Sequence, residues 1–272
     1  MQRFCACAMG LAMLAGGQFE IPVARASAFA TGVVGYDAGS AGGSGFNDPG
    51  TALGSPERFT GEGIFPGVVS PFNPVFGTDE IVQIGEGGFL TLQFNEPITD
   101  DASHPFGVDF IVFGNGGFID GDFPNGTVAD SAATFGLDDV LIEVSEDGTT
   151  FHSLGTFSEG MYPAMGYVDA GPFDNTPGSI WTDFQQPPDP ALTLADFAGM
   201  TYDQLVALYD GSGGGTPVDI AASGLSEVSF IRFSVPVSGT VEIDAVSRVP
   251  EPTAMGFLLA GGMAAFRRGR RG

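Results

Sequence analysis

The chain has 272 residues, a formal net charge of −24, nine arginines, no lysine and two cysteines. So acidic a surface repels nucleic acid and anionic lipid and attracts cations, which excludes a nucleic-acid-binding role. With 25 phenylalanines and 43% apolar residues it can still bury a core, which excludes disorder over most of its length.

In chain order the first element is an export signal over residues 1–30. Arg3 precedes the apolar stretch FCACAMGLAMLAGG, and IPVARASAFA follows with overlapping small-x-small pairs at Ala24/Ala26, Ala26/Ala28 and Ala28/Ala30. A positive start, a short apolar run and small residues at a cleavage point are what a signal peptidase reads. Cleavage there removes Cys5 and Cys7. The mature chain would then hold no disulfide, thiol nucleophile or thiolate metal site.

Residues 31–248 read as one acidic domain. Between residues 31 and 249 only Arg58, Arg232 and Arg248 face 31 acids, about −28 in all. Residues 31–80 show little periodicity and are expected to form long loops. Strand-length runs follow at Phe89–Phe94 (FLTLQF) and Val108–Gly114 (VDFIVFG), rich in aromatic and β-branched residues and bounded by turn formers. DVLIEVSEDGTTFHSLGTF (Asp139 to Phe157) predicts a hairpin turning at Asp147-Gly148, because glycine supplies the positive φ of a tight turn. Residues 158–192 again read as a long loop. TYDQLVALYDG predicts a short helix, with Thr201 as cap, Gln204 three residues on, apolar Leu205, Leu208 and Tyr209 at helical spacing, and Gly211 as stop. Two more strands, EVSFIRFSV (Glu227 to Val235) and TVEIDAVSRV (Thr240 to Val249), complete an all-β pattern with one or two short helices. The expected architecture is a two-sheet β-sandwich or jelly roll.

Chemistry-bearing motifs are sparse. His104 lies in a loop beside Pro105, and His152 sits in the hairpin where alternation turns it to solvent. No Gly-x-Ser-x-Gly, His-Glu-x-x-His, phosphate-binding or dinucleotide-binding loop is present, so the chain reads as a non-enzyme. Asp120, Asp122 and Asn125 put oxygen donors on a glycine-bearing loop, a candidate Ca²⁺ site whose spacing misses the EF-hand pattern by one residue. Trp181, Tyr162 and Tyr167 in the long loop are candidates to stack on sugar rings.

The end of the chain is the most specific stretch. Val249-Pro250-Glu251-Pro252 is followed by fourteen uncharged residues, Thr253 to Phe266, and then by Arg267, Arg268, Arg270 and Arg271. Residues 249–272 resemble the PEP-CTERM sorting signal of exported bacterial proteins. Pro250 and Pro252 keep the backbone extended and present Glu251 in strand-like form. The apolar run forms a short helix of about 21 Å, against about 30 Å of hydrocarbon, so it anchors only transiently. The arginines hold their end on the cytoplasmic side. The resemblance implies cleavage near the Pro-Glu-Pro by an exosortase-type membrane protease.

The body also resembles a family of bacterial surface proteins with galactose-binding-like β-sandwich folds. FNDPGTALGSPE (Phe46 to Glu57), GGFLTLQFNEPITD (Gly87 to Asp100), DFIVFGNGGF (Asp109 to Phe118), LIEVSEDGTTFHSL and VEIDAV (Val241 to Val246) occur in the family's order. Gly114 stands where that family carries a glutamate, and Glu242-Ile243-Asp244 replaces its Asp-Leu-Asp. In these motifs Asp109, Asn115 and Asp244 either bind an ion or stabilise a turn. The resulting expectation is an exported, noncatalytic cell-surface or extracellular-matrix protein that binds glycan or exopolysaccharide. The alternatives are a purely structural or adhesive layer protein and, third, a glycan-active enzyme.

Overall fold

A computed structural model of the chain describes residues 27–60, 67–158 and 160–251. The predicted apolar export run and the tail from Pro252 to Arg271 lie outside the described residues. In chain order the elements are β1 (Gly32–Asp37), β2 (Phe59–Thr60), β3 (Gly67–Val68), β4 (Val82–Gly85), β5 (Phe89–Thr99), β6 (Phe110–Phe113), β7 (Gly117–Phe118), β8 (Thr134–Phe135), β9 (Asp139–Ser145) and β10 (His152–Ser158). They continue with α1 (Leu194–Phe197), α2 (Tyr202–Tyr209), β11 (Thr216–Val218), β12 (Glu227–Ser234), β13 (Thr240–Ile243) and β14 (Ala245–Arg248). The described chain is therefore mostly β-sheet with two short α-helices and no closed barrel.

The largest sheet has five antiparallel strands in the order β1-β5-β12-β9-β10. A three-stranded antiparallel sheet, β11-β6-β14, and a pair, β13-β4, are separate from it. Period-2 alternation explains which face is buried. Leu90, Leu92 and Phe94 of β5 and Ile142 and Val144 of β9 point into one apolar cluster. That cluster also takes Phe110 and Val112 from β6, Val246 from β14, and Val82, Ile84, Val241 and Ile243 from the β13-β4 pair.

Strand β12 breaks strict alternation, since its buried residues Val228 and Ile231 are three apart. The register against β5 shifts between Val228 and Phe230, and a β-bulge there resets which residues face the core. Ile231 at the sheet's centre pairs with Leu92 on one side and Val144 on the other. Truncating it leaves a void between two filled strands, so Ile231→Ala should cost about 2–5 kcal/mol. A lowered urea midpoint at unchanged m-value is the expected signature.

All four residues of β6 are buried. Phe110 and Val112 face the main cluster, while Ile111 and Phe113 face a second one with Val69, Val75, Ala164, Phe184 and Val249. Being covered on both sides, β6 reads as a continuous apolar run and not as an alternating one. A third cluster gathers Phe118, Tyr162, Phe197, Tyr202, Leu205 and Tyr209 around the helices.

Local signals place the helix and hairpin. The Gln204 amide N–H donates to Thr201 Oγ1 (3.4 Å) and the Thr201 N–H to Gln204 Oε1 (2.8 Å), a reciprocal cap that starts α2. Asp210 in the left-handed region ends it, one residue before the expected glycine stop. The hairpin forms between β9 and β10, but its connection is residues 146–151 and not a two-residue turn. Asp147 Oδ1 accepts from the N–H groups of Thr149 and Thr150 (2.8 Å each), which widens the loop, while Gly148 supplies the positive φ of 72°.

Two regions carry more structure than their sequence patterns suggest. Residues 31–80 are not all loop, since β1 forms one edge of the main sheet and β2 and β3 pair with each other. The folded body also starts before residue 31. Phe29 bridges Ser247, the Ala30 N–H donates to Val246 O (3.2 Å), and Ala30 is buried in the main cluster. Neither region carries a periodic pattern because both are held by partners far along the chain.

Candidate metal centre and ligand surface

The Asp120 loop uses its carboxylates internally. Asp120 accepts from the N–H groups of Asp122 (2.8 Å), Gly126 (3.0 Å) and Thr127 (2.9 Å), and Asp122 accepts from Asn125 Nδ2 (3.1 Å). That is the geometry of an Asx-turn, with the oxygens aimed at backbone donors. Asp109, Asn115 and Asp244 are each buried or half-buried with their own surroundings. Asn115 Oδ1 abuts the Gly136 position, and Asp244 Oδ2 accepts from the Glu57 N–H (3.3 Å). Burial pushes the Asp244 carboxyl well above the usual carboxylate range, and the nearby Glu57 charge adds to the rise.

The three loop aromatics divide sharply. Tyr162 is buried with its hydroxyl donating to Leu192 O (3.0 Å), and burial pushes that phenol up to about 12. Tyr167 is buried in a small cluster with Val68 and Ala170. Neither ring presents a face for a sugar, a correction to the expectation from sequence; the long loop folds back on the body and takes them as core. Trp181 is the opposite, 69% exposed beside exposed Ile180.

The ledge that carries Trp181 is held in place. Asp169 accepts from the Ser179 hydroxyl (2.6 Å) and from the N–H groups of Ser179 (3.0 Å) and Ile180 (2.8 Å), which hold its carboxyl down at about 2. Arg58 donates to Gly166 O and Thr182 O and lies over two rings, 3.9 Å from the Phe184 centroid and 5.0 Å from that of Trp181. The planar guanidinium satisfies its donors in plane and stacks on aromatic faces, which lysine cannot do.

Asp183, two residues from Trp181, opens onto a cleft of about 420 Å³ that is also lined by Phe106, Gln185, Gln186, Val249 and Pro250. Phe106 is 60% exposed and sits at φ 59°, a conformation non-glycine residues rarely adopt. An apolar cleft with a few amide and carboxylate groups suits a polar organic ligand that carries apolar faces.

Beside this cleft lies a group that sequence reasoning did not assemble. The connection between β5 and β6 brings up Asp100, Asp101, His104 and Asp109, and the residues after β14 bring up Glu251. His104, read from sequence as a loop residue, is buried. Its Nδ1 is 2.9 Å from Asp109 Oδ1, and its Nε2 is 3.7 Å from Glu251 Oε2. Asp109 also accepts from the N–H groups of Asp101 (3.3 Å) and Ile220 (2.9 Å). Burial raises the Asp109 carboxyl, opposed by the Ile220 and His104 hydrogen bonds. Thr99 Oγ1 donates to Glu251 Oε1.

One carboxylate or imidazole atom from each of Asp101, His104 and Glu251 lies within 4.8 Å of the others. A second such set, Asp100, Asp109 and Asp219, adjoins it through Asp109. The sequence signal was the run DDASHPFGVD, which places acids on both sides of a histidine. Pro250 and Glu251 themselves are exposed at the end of β14, while Val249 is buried and its N–H donates to Asp109 O (2.8 Å). Among the described residues no helix is long and apolar enough to cross a membrane. No family model matches this chain and no curated protein is similar to it.

Proposed function

We propose that this chain is an exported, noncatalytic protein of the cell surface or extracellular matrix, whose body is a two-sheet, galactose-binding-like β-sandwich that binds exopolysaccharide. The observation that carries the binding reading is the exposed Trp181, on a ledge fixed by Asp169 and backed by Arg58. Exposing an indole to water is unfavourable, and an anchored one loses little entropy when a ring stacks on it. The neighbouring cleft with Phe106, Gln185 and Gln186 adds an apolar wall and amide donors for hydroxyl groups.

Sorting follows from the tail motif. The chain after β14 leaves Pro250 and Glu251 exposed at the surface, where a protease subsite can reach them. Export leaves a choice of cleavage points, and the packing of Phe29 and Ala30 together with the Arg248 N–H donating to Ala28 O favours cleavage after Ala26, which keeps all three residues in the mature chain.

Retention on extracted exopolysaccharide tests the binding reading. Trp181→Ala should weaken retention about tenfold, equivalent to about 1.4 kcal/mol, with the melting temperature unchanged because the ring is largely in water. Equal retention of both proteins would leave the body as a structural layer component acting by charge and bulk.

A further inference from the structure

We propose that, in the chain before it is cut at the Pro-Glu-Pro, Asp101, His104 and Glu251 form a binding site for a divalent transition-metal ion of the zinc class, which ties the β5–β6 connection to the residues that follow β14. The His104 side chain is 1% exposed, yet its Nε2 has no hydrogen-bond partner. A buried polar atom without a partner is costly and calls for a physical reason.

The other ring nitrogen identifies what Nε2 offers. Asp109 Oδ1 lies 2.9 Å from Nδ1, and the Asp109 carboxylate receives the N–H groups of Asp101 and Ile220 as well. A carboxylate is an acceptor, so Nδ1 carries the proton, and in the neutral imidazole Nε2 then presents its lone pair. That lone pair faces Glu251 Oε2 at 3.7 Å, with the Asp101 carboxylate completing the triangle. Three electron-rich atoms within 4.8 Å of one another are stabilised by a cation placed between them. A carboxylate behind a histidine whose far nitrogen is free is the arrangement by which proteins orient a metal-ligating imidazole.

Ligand chemistry selects the ion. One imidazole nitrogen and two carboxylate oxygens suit Zn²⁺ and its neighbours, in a four-coordinate site completed by water. Ca²⁺ and Mg²⁺ take oxygen ligands and gain nothing from the imidazole. Asp101 and Glu251 lie near the surface, so their side chains can close on an ion while His104 is fixed by Asp109. Asp100 and Asp219, next to Asp109, add negative charge around the site.

The test is isothermal titration of the full chain, stripped with EDTA, against ZnCl₂, CaCl₂ and MgCl₂ in 150 mM NaCl. One Zn²⁺ should bind per chain, more tightly than Ca²⁺ or Mg²⁺. Asp101→Asn and Glu251→Gln should each weaken Zn²⁺ binding at least tenfold and leave the melting temperature in EDTA unchanged, since neither side chain is in the core. Asp120→Asn, in the unrelated acidic loop, should leave the Zn²⁺ affinity as it was. Loading with Co²⁺ should give the visible absorption of a low-coordinate site, absent in Glu251→Gln. No Zn²⁺ binding, an equal response to all three ions, or Zn²⁺ binding that survives both substitutions would overturn the assignment.

Discussion

Protein collected outside the producing cell should begin at Ser27 and end between Val249 and Pro252, and none of it should carry residues 253–272. The N-terminal expectation comes from packing. Cleavage after Ala28 would remove the Ala28 carbonyl that accepts from the Arg248 N–H (2.8 Å), and cleavage after Ala30 would also delete Phe29, with its bridge to Ser247, and Ala30 from the main core. The C-terminal expectation comes from the tail. On the proposed sorting reading, an apolar run too short for a stable anchor, closed by arginines that resist crossing, would delay release only until the Pro-Glu-Pro is cut. Replacing Arg267, Arg268, Arg270 and Arg271 by glutamate should remove that hold and abolish the processed form. Intact-mass measurement decides both ends at once; a secreted species that still contains Thr253 to Gly272 would falsify the sorting reading.

Stability should fall as pH rises above the unfolded carboxylate value of about 4, and Asp244→Asn should remove much of that fall. Burial raises the carboxyls of Asp244, Glu57 and Glu242 above the values they have in an unfolded chain, near 4. The folded state then holds more protons than the unfolded state over that range, and stability declines with pH. The penalty is absent below the unfolded value and develops as pH climbs through the folded one. Asp169 acts in the other direction. Its carboxyl is held down at about 2 by the Ser179 and Ile180 hydrogen bonds, so the stability it contributes is present above about pH 4 and lost as pH falls through 2.

Asparagine at 244 keeps an oxygen for the Glu57 N–H and replaces a buried charge with an amide that can donate. For a domain of this size each kcal/mol recovered moves the melting temperature by about 2–4 °C. Melts in EDTA should show the variant several degrees above the parent at pH 8 and level with it at pH 4. A constant difference across the range would mean that Asp244 affects packing and not ionisation.

What could be read in the residues was what neighbours in the chain decide. The all-β character, the β9–β10 hairpin and helix α2 follow from alternation, an Asp-Gly pair and the Thr201/Gln204 cap, each acting over a few residues. The same locality explains the misreadings. The β9–β10 connection is longer than a tight turn because Asp147 gathers two further N–H groups, and β1 was invisible because its order comes from pairing with β5. Tyr162 and Tyr167 looked available in a loop without pattern, and only the folding of that loop onto the body buries them.

The candidate metal site is the extreme case. His104 and Asp109 are five residues apart, but Ile220 and Glu251, which complete their surroundings, arrive from the far end of the chain. An acid beside a histidine carries no information in a chain with 33 acids. Burial gives the pair its meaning, because in a water-excluded pocket a nitrogen without a hydrogen-bond partner is costly. Composition determined that this protein attracts cations; tertiary structure decided where one would be held.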